Sequence, residues 1–226
     1  MPFARVLAEM RELGISASEL GSVGFLPSRP QDARAALDSA GITPVGTYLD
    51  LVLHHDGDAE WRDTLADTIT YVAAAGADVI VLAALAAPHS YDGSPGLDDA
   101  QWANLLAHLD QAAEMADSAG VNLAVHPHLG TLILTPHEIA RVLAESRVSL
   151  CVDTGHAYAG GNDVVELIRT ALGDGDLAIP DILDALESMD YRGWVVLEQD
   201  VRLPAEPPAG EGPIRAVEHS LRVVTA

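Results

Sequence analysis

The stretch LADTITYVAAAGADVIVLAAL, residues 65–85, carries the reading that decides the fold. Its first half has the spacing of an amphipathic helix, and Gly76 supplies a short turn. VIVLAAL then follows with no polar residue. A strand that is apolar at every position has both faces covered, which is the condition of a parallel sheet packed between helices.

The same helix–turn–strand phrase recurs over residues 5–21, 34–56, 105–128, 138–156 and 182–200. In one of these helices Leu105, Leu109, Ala112 and Met115 form a single apolar stripe. Alternating helices and apolar strands imply an α/β fold, either an open doubly wound sheet or a closed (β/α)8 TIM-type barrel. No Gly-rich nucleotide fingerprint follows any strand. Polar residues instead crowd the C-terminal strand ends: Glu19, His54 and His55, His89, His126 and His128, Asp153 and His156, Glu198 and Asp200. A barrel assembles its site at that end, so the barrel is the expected fold. It is expected to be incomplete, with six strands near 16–20, 44–53, 78–84, 121–127, 148–153 and 194–198. The first and seventh strands are absent from the pattern, and residues 169–182 join two helical segments with hardly any strand between them. AGGND, GDGD and the Pro-rich 203–213 mark loops, a last helix covers 214–224, and residues 1–226 form one domain with no linker.

Composition narrows the function classes. A chain that is 49% hydrophobic over 226 residues can bury a large core, yet its apolar runs stop short of the roughly 18 residues a membrane helix needs. The first residues read as an amphipathic helix rather than a secretion signal. One cysteine, Cys151, excludes an internal disulfide and fits a reducing compartment, with the cytoplasm expected. Net charge is −22 and every basic residue is arginine. Such acidity repels phosphate backbones and anionic lipid, so neither nucleic acid nor membrane is an expected partner.

The strand ends carry the chemistry. In VHPHLGT, residues 125–131, His126 and His128 stand two apart, so strand geometry would project both imidazoles to one face. Pro127 cannot donate to a ladder, and pairing should end there. In DTGH, Gly155 can turn His156 back towards Asp153; the alternative is a capping aspartate that opens the next helix, with His156 solvated. Glu198 follows the apolar run WVVL, where an ionised carboxylate is costly without a cation or several donors. Asp200 sits in a wetter loop. Glu19, His54, His55 and His89 are placed to line the pocket, while Cys151, in the apolar SLCVD, reads as a core residue. Carboxylates from two strands with imidazoles from a third make a mixed N/O donor set. That set suits Mn²⁺, Co²⁺, Fe²⁺ or Zn²⁺ better than Ca²⁺.

VHPHLGT, VDTGHAYAGGND and GDGDLAIPDILDALESMDYRGWVVLEQD resemble the xylose isomerase-like TIM-barrel superfamily. They are most similar to sugar phosphate isomerase/epimerase-type proteins of the inosose dehydratase branch. The resemblance implies a divalent metal at the barrel mouth held by His126, Asp153 and Glu198, with His156 beside it as a substrate contact. It also implies a small sugar or cyclitol substrate. In this reading the metal chelates a carbonyl and its neighbouring hydroxyl and an enediolate forms, with Glu198 or His126 as general base and His156 as acid. His128, Glu19, His54 and His89 complete the substrate contacts. Ketose epimerases of this group carry a glutamate where His126 stands, which favours dehydration over symmetric two-carboxylate epimerisation. The group's seventh strand, with its metal-binding histidine, has no counterpart between Thr170 and Gly173. A barrel opened there exposes strand edges, which favours homo-oligomers. The absent ligand also motivates a second reading, a non-catalytic barrel that binds a sugar or metal. A third, an apurinic-site endonuclease relative, shares the D-x-x-H motif but meets the adverse charge.

Overall fold

The computed structural model describes residues 1–22, 24–56, 60–93, 96–162, 179–198 and 203–224. Helices α1 (Phe3–Glu12), α2 (Pro30–Ala40), α3 (Glu60–Ala75), α4 (Asp99–Ser118) and α5 (Pro136–Glu145) alternate with strands β1 (Ala17–Ser18), β2 (Thr43–Pro44), β3 (Gly46–Leu51), β4 (Val79–Ala84), β5 (Asn122–Val125) and β6 (Ser149–Leu150). A short α6 (Thr154–Ala159) follows β6, and α7 (Ile179–Ser188) and α8 (Pro213–Val224) close the described chain.

All described strand pairs are parallel, in the orders β1-β2 and β3-β4-β5-β6. Val45 joins the two sets: its N–H donates to the Ser18 carbonyl, and its own carbonyl accepts from Asp78. The Leu20 N–H also donates to Gly46, so hydrogen bonds run without a break from β1 to β6. Gly46 is required at the β3–β4 contact, because a β-carbon there would stand 2.6 Å from the Val79 carbonyl oxygen. The described strands form an arc of a parallel barrel, in the connection order expected from the sequence.

The strands present two faces. Leu49, Leu51, Ile80, Leu82, Ala84, Leu123 and Val125 are buried against Leu65, Val72, Leu105, Leu109 and Ala112 of the surrounding helices. The opposite face carries Tyr48 and Asp50 on β3, in register with Val81 and Ala83 on β4. Both faces are therefore occupied, which explains the absence of polar alternation in VIVLAAL. Arg5 of α1 donates to the carbonyls of Pro207 and Pro208 and pairs with Glu206, tying the start of the chain to its last loop.

One expected strand is not found among the described residues. Residues 194–198 have no ladder partner among the described residues. Trp194, Val195 and Val196 are about half exposed. β-branched residues favour a strand only where a neighbour offers hydrogen bonds and a surface to cover. The described sheet ends at β6, and no described strand beyond it offers that neighbour. Glu198 is accordingly exposed rather than desolvated behind an apolar run. The GDGD segment and Asp200 lie outside the described residues.

Candidate metal and substrate site

His126 leaves the end of β5 as the last residue tied to the sheet, its N–H donating to the Leu82 carbonyl. Ladder pairing ends at Val125, two residues before Pro127, as the missing donor of proline requires. Beyond it the chain turns tightly. The Thr131 hydroxyl donates to the His128 carbonyl at 2.8 Å, and the His128 N–H to Ile133 at 3.2 Å. The His128 Nδ1 lies 2.7 Å from the Leu129 carbonyl. A carbonyl only accepts, so Nδ1 carries the proton and Nε2 keeps its lone pair for a ligand.

The DTGH segment takes the capping arrangement rather than the glycine turn. Asp153 is the N-cap of α6, with its Oδ1 accepting the His156 N–H at 2.7 Å. Gly155 is an ordinary helical residue, since no left-handed φ is found there. His156 is not left in solvent, however. Its ring packs on His128 with centroids 3.9 Å apart, and on His126 at 5.5 Å. The position of α6 is secured by Asn162, whose buried amide donates to the carbonyls of Leu134 and Ala157. In the sequence AGGND reads only as a loop, and nothing in it marks Asn162.

One nitrogen from each of His126, His128 and His156 lies within 4.8 Å of the others, so these three imidazoles can hold one metal ion. His126 is buried and its Nδ1 makes no hydrogen bond among the described residues. Burial pulls its pKa down to about 4, with His128 and His156 acting in the same direction and the nearby Asp153 charge opposing. The ring is thus neutral at physiological pH, the form that coordinates a cation.

Carboxylates act on the end of β6. Burial raises the Cys151 thiol to about 11, and the charges of Glu19, Asp153 and Glu198 add to the shift. That thiol is inert, as its apolar setting in the sequence implied. Burial also raises the pKa of half-buried Glu19, and the Glu198 charge raises it further. Asp153 and Glu198, expected as ligands, therefore both act on Cys151, the residue that follows the end of β6.

The remaining expected residues diverge. His54 is buried with Nδ1 unsatisfied, and its ring lies 3.9 Å from that of His55. Burial and His55 lower its pKa. No contact joins His54 to the imidazole cluster among those described. His89 has a side chain 92% exposed, 3.7 Å from Asp50. Two tyrosines that the sequence reading passed over border the cluster. Tyr48 stands edge-on to His126 at 6.1 Å, and Tyr91 lies 5.1 Å from His128. Their signal was faint: Tyr48 occupies an inward position of GTYLDL, but nothing in HSYDG marks Tyr91.

A parallel α/β arc with imidazoles and carboxylates at its C-terminal rim defines the class, a TIM-type barrel with a polar site at the strand ends. The chain belongs to the xylose isomerase-like TIM barrel family, which it matches over residues 7–174. It is 28% identical to the rhizopine catabolism protein MocC of Rhizobium meliloti, across 88% of this chain and 75% of that protein. It is 26% identical to an inosose dehydratase of Geobacillus kaustophilus, across 87% and 79%. A crystal structure of D-psicose 3-epimerase in the presence of D-fructose superposes with a TM-score of 0.75 at 17% identity, covering 98% of this chain and 91% of that one. Among the described residues no helix is long and apolar enough to cross a membrane.

Proposed function

We propose that this protein is a metal-dependent enzyme that isomerises, epimerises or dehydrates a small keto-sugar or keto-cyclitol by abstracting a proton beside its carbonyl. The observation that carries the reading is the convergence of His126, His128 and His156, with a buried, neutral imidazole whose Nδ1 has no partner among the described residues. An orphaned buried nitrogen is costly unless something outside the protein satisfies it. The donor set fits a borderline divalent ion such as Zn²⁺, Co²⁺, Fe²⁺ or Mn²⁺. His126, His128 and His156 would hold it, and Asp153 and Glu198, the carboxylates expected from the sequence, would complete the set. When bound, the ion supplies positive charge that acidifies a C–H beside a chelated carbonyl.

The chain's own groups divide the proton work. Burial, and after it the Glu198 charge, raises the pKa of Glu19. A carboxyl held towards its protonated form is suited to act as an acid. Glu198 is then the base that removes the substrate proton, and Glu19 or His156 donates to the receiving or leaving oxygen. The relatives named inosose dehydratase favour a cyclitol ketone and loss of a β-hydroxyl. Metal-loaded protein incubated with 2-keto-myo-inositol and with ketoses in deuterated water should show deuterium at the carbon next to the carbonyl. Lack of exchange on every substrate overturns the proposal.

The exposure of Glu198 favours the second reading, a barrel that binds a polyol without transforming it. Glu198→Gln separates the two: it abolishes exchange in an enzyme and leaves a binding protein's affinity for 2-keto-myo-inositol unaltered.

A further inference from the structure

Beside the imidazoles the mouth carries a second polar group. The hydroxyls of Tyr48 and Tyr91 lie 2.8 Å apart, and the Asp50 charge acts on both rings. Tyr48 and Asp50 stand two apart on the inward side of β3. Tyr91 comes from the loop after β4, which is tied down at several points. Ala87 and Ser90 form an isolated bridge, the Ser90 hydroxyl donates to Asp92, and the Gly93 N–H donates to the Gly130 carbonyl. Gly130 has φ +80°, and a β-carbon there would run into the Tyr91 carbonyl. The glycine of VHPHLGT thus lets this loop lie directly on the turn that carries His128.

We infer that Tyr91, oriented by Tyr48, and Asp50 form a subsite that grips two adjacent hydroxyls of an uncharged polyol while its carbonyl end lies at the imidazole cluster. The inference rests on the enzymatic reading above and adds the part of the substrate that is recognised. Two phenol hydroxyls bonded to each other use one of their two protons. The other remains to donate to a substrate hydroxyl, while the Asp50 carboxylate accepts from its neighbour. Tyr91 is 41% exposed, so its outer side is open to a ligand. Burial raises the pKa of both tyrosines, which keeps them as phenols able to donate. A phosphorylated sugar would bring its charge up to Asp50, which the net charge of −22 reinforces. Tyr48 is a positioning residue, and Tyr91 and Asp50 touch the substrate.

Steady-state kinetics and calorimetric binding on metal-loaded protein test this, with 2-keto-myo-inositol and each of its monodeoxy derivatives as probes. A site built to bond a hydroxyl rejects the analogue that lacks it. Wild-type protein should lose about tenfold in kcat/KM when one particular hydroxyl is removed. Tyr91→Phe should raise KM for the parent more than it lowers kcat, and should no longer distinguish the parent from that one derivative. Tyr48→Phe should weaken discrimination at the same ring position, with metal content and thermal midpoint retained in both variants. Undiminished discrimination at every position in Tyr91→Phe overturns the subsite alone. Failure of wild-type protein to bind or turn over any probe overturns the enzymatic reading, and the subsite with it.

Discussion

The rings of His128 and His156 pack with their centroids 3.9 Å apart, although the residues come from a turn and a helix 28 positions apart. Each ring owes its place to a backbone device: the Thr131 hydroxyl bond to the His128 carbonyl in one case, the Asp153 cap of α6 in the other. The pair brings two ring nitrogens within reach of one ion beside His126. Elemental analysis after dialysis should find about one divalent ion per chain. His126→Ala, His128→Ala and His156→Ala should each lower affinity at least tenfold, by analogy with the measured cost of disturbing a metal shell. If all three variants keep full metal content, the imidazole cluster is not the binding site.

Asp153 has two separable duties, capping α6 and supplying negative charge beside His126. Asparagine caps a helix about as well as aspartate, whereas alanine costs roughly 1 kcal/mol. Asp153→Ala should therefore lose both stability and metal affinity. Asp153→Asn should keep the urea midpoint near that of wild type and still bind metal more weakly. Equal metal affinity in wild type and Asp153→Asn would mean that the carboxylate serves only the helix.

The strand ends were legible in the sequence for a physical reason. Pro127 cannot extend a ladder and His126 follows an apolar strand, so local chemistry alone placed an imidazole at the rim. The cap at Asp153 was legible only as one of two options, because D-T-G-H permits either a glycine turn or a helix start. Residues 194–198 misled: Val195 and Val196 have strand-forming side chains, yet a strand exists only through a neighbour that the local sequence does not name. Tyr48 and Tyr91 were invisible for a similar reason. Their relation is a hydrogen bond between residues 43 apart, and no spacing rule encodes it.

The packing of Gly130 under the Tyr91 carbonyl makes the loop after β4 sensitive to a single methyl group. Alanine at φ +80° costs about 1 kcal/mol before any contact is counted. Displacement of the loop adds to that, for a total of roughly 1–3 kcal/mol. Gly130→Ala should lower the thermal midpoint and raise KM for a polyol substrate through loss of the Tyr91 contact. A midpoint equal to that of wild type would show that the loop is not held against the turn.

Burial keeps the His126 imidazole at about 4, well below its ordinary value of 6.5. Between those two pH values the unfolded chain binds a proton that the folded chain refuses, so stability falls as pH drops through the window. The full loss is roughly 3 kcal/mol at 1.36 kcal/mol per unit. Glu19, with its pKa raised by burial, works in the opposite direction in its own range and gains stability on acidification. The two are separated by comparing variants in the presence of a chelator, which removes the contribution of any bound ion. Unfolding free energies from urea titrations between pH 7.5 and 4.5 should fall less steeply in His126→Asn, by about 2 kcal/mol over the range. Glu19→Gln should fall more steeply than wild type. Parallel curves for His126→Asn and wild type would mean that His126 takes up its proton as readily folded as unfolded, and that no neutral imidazole is held ready at the strand end.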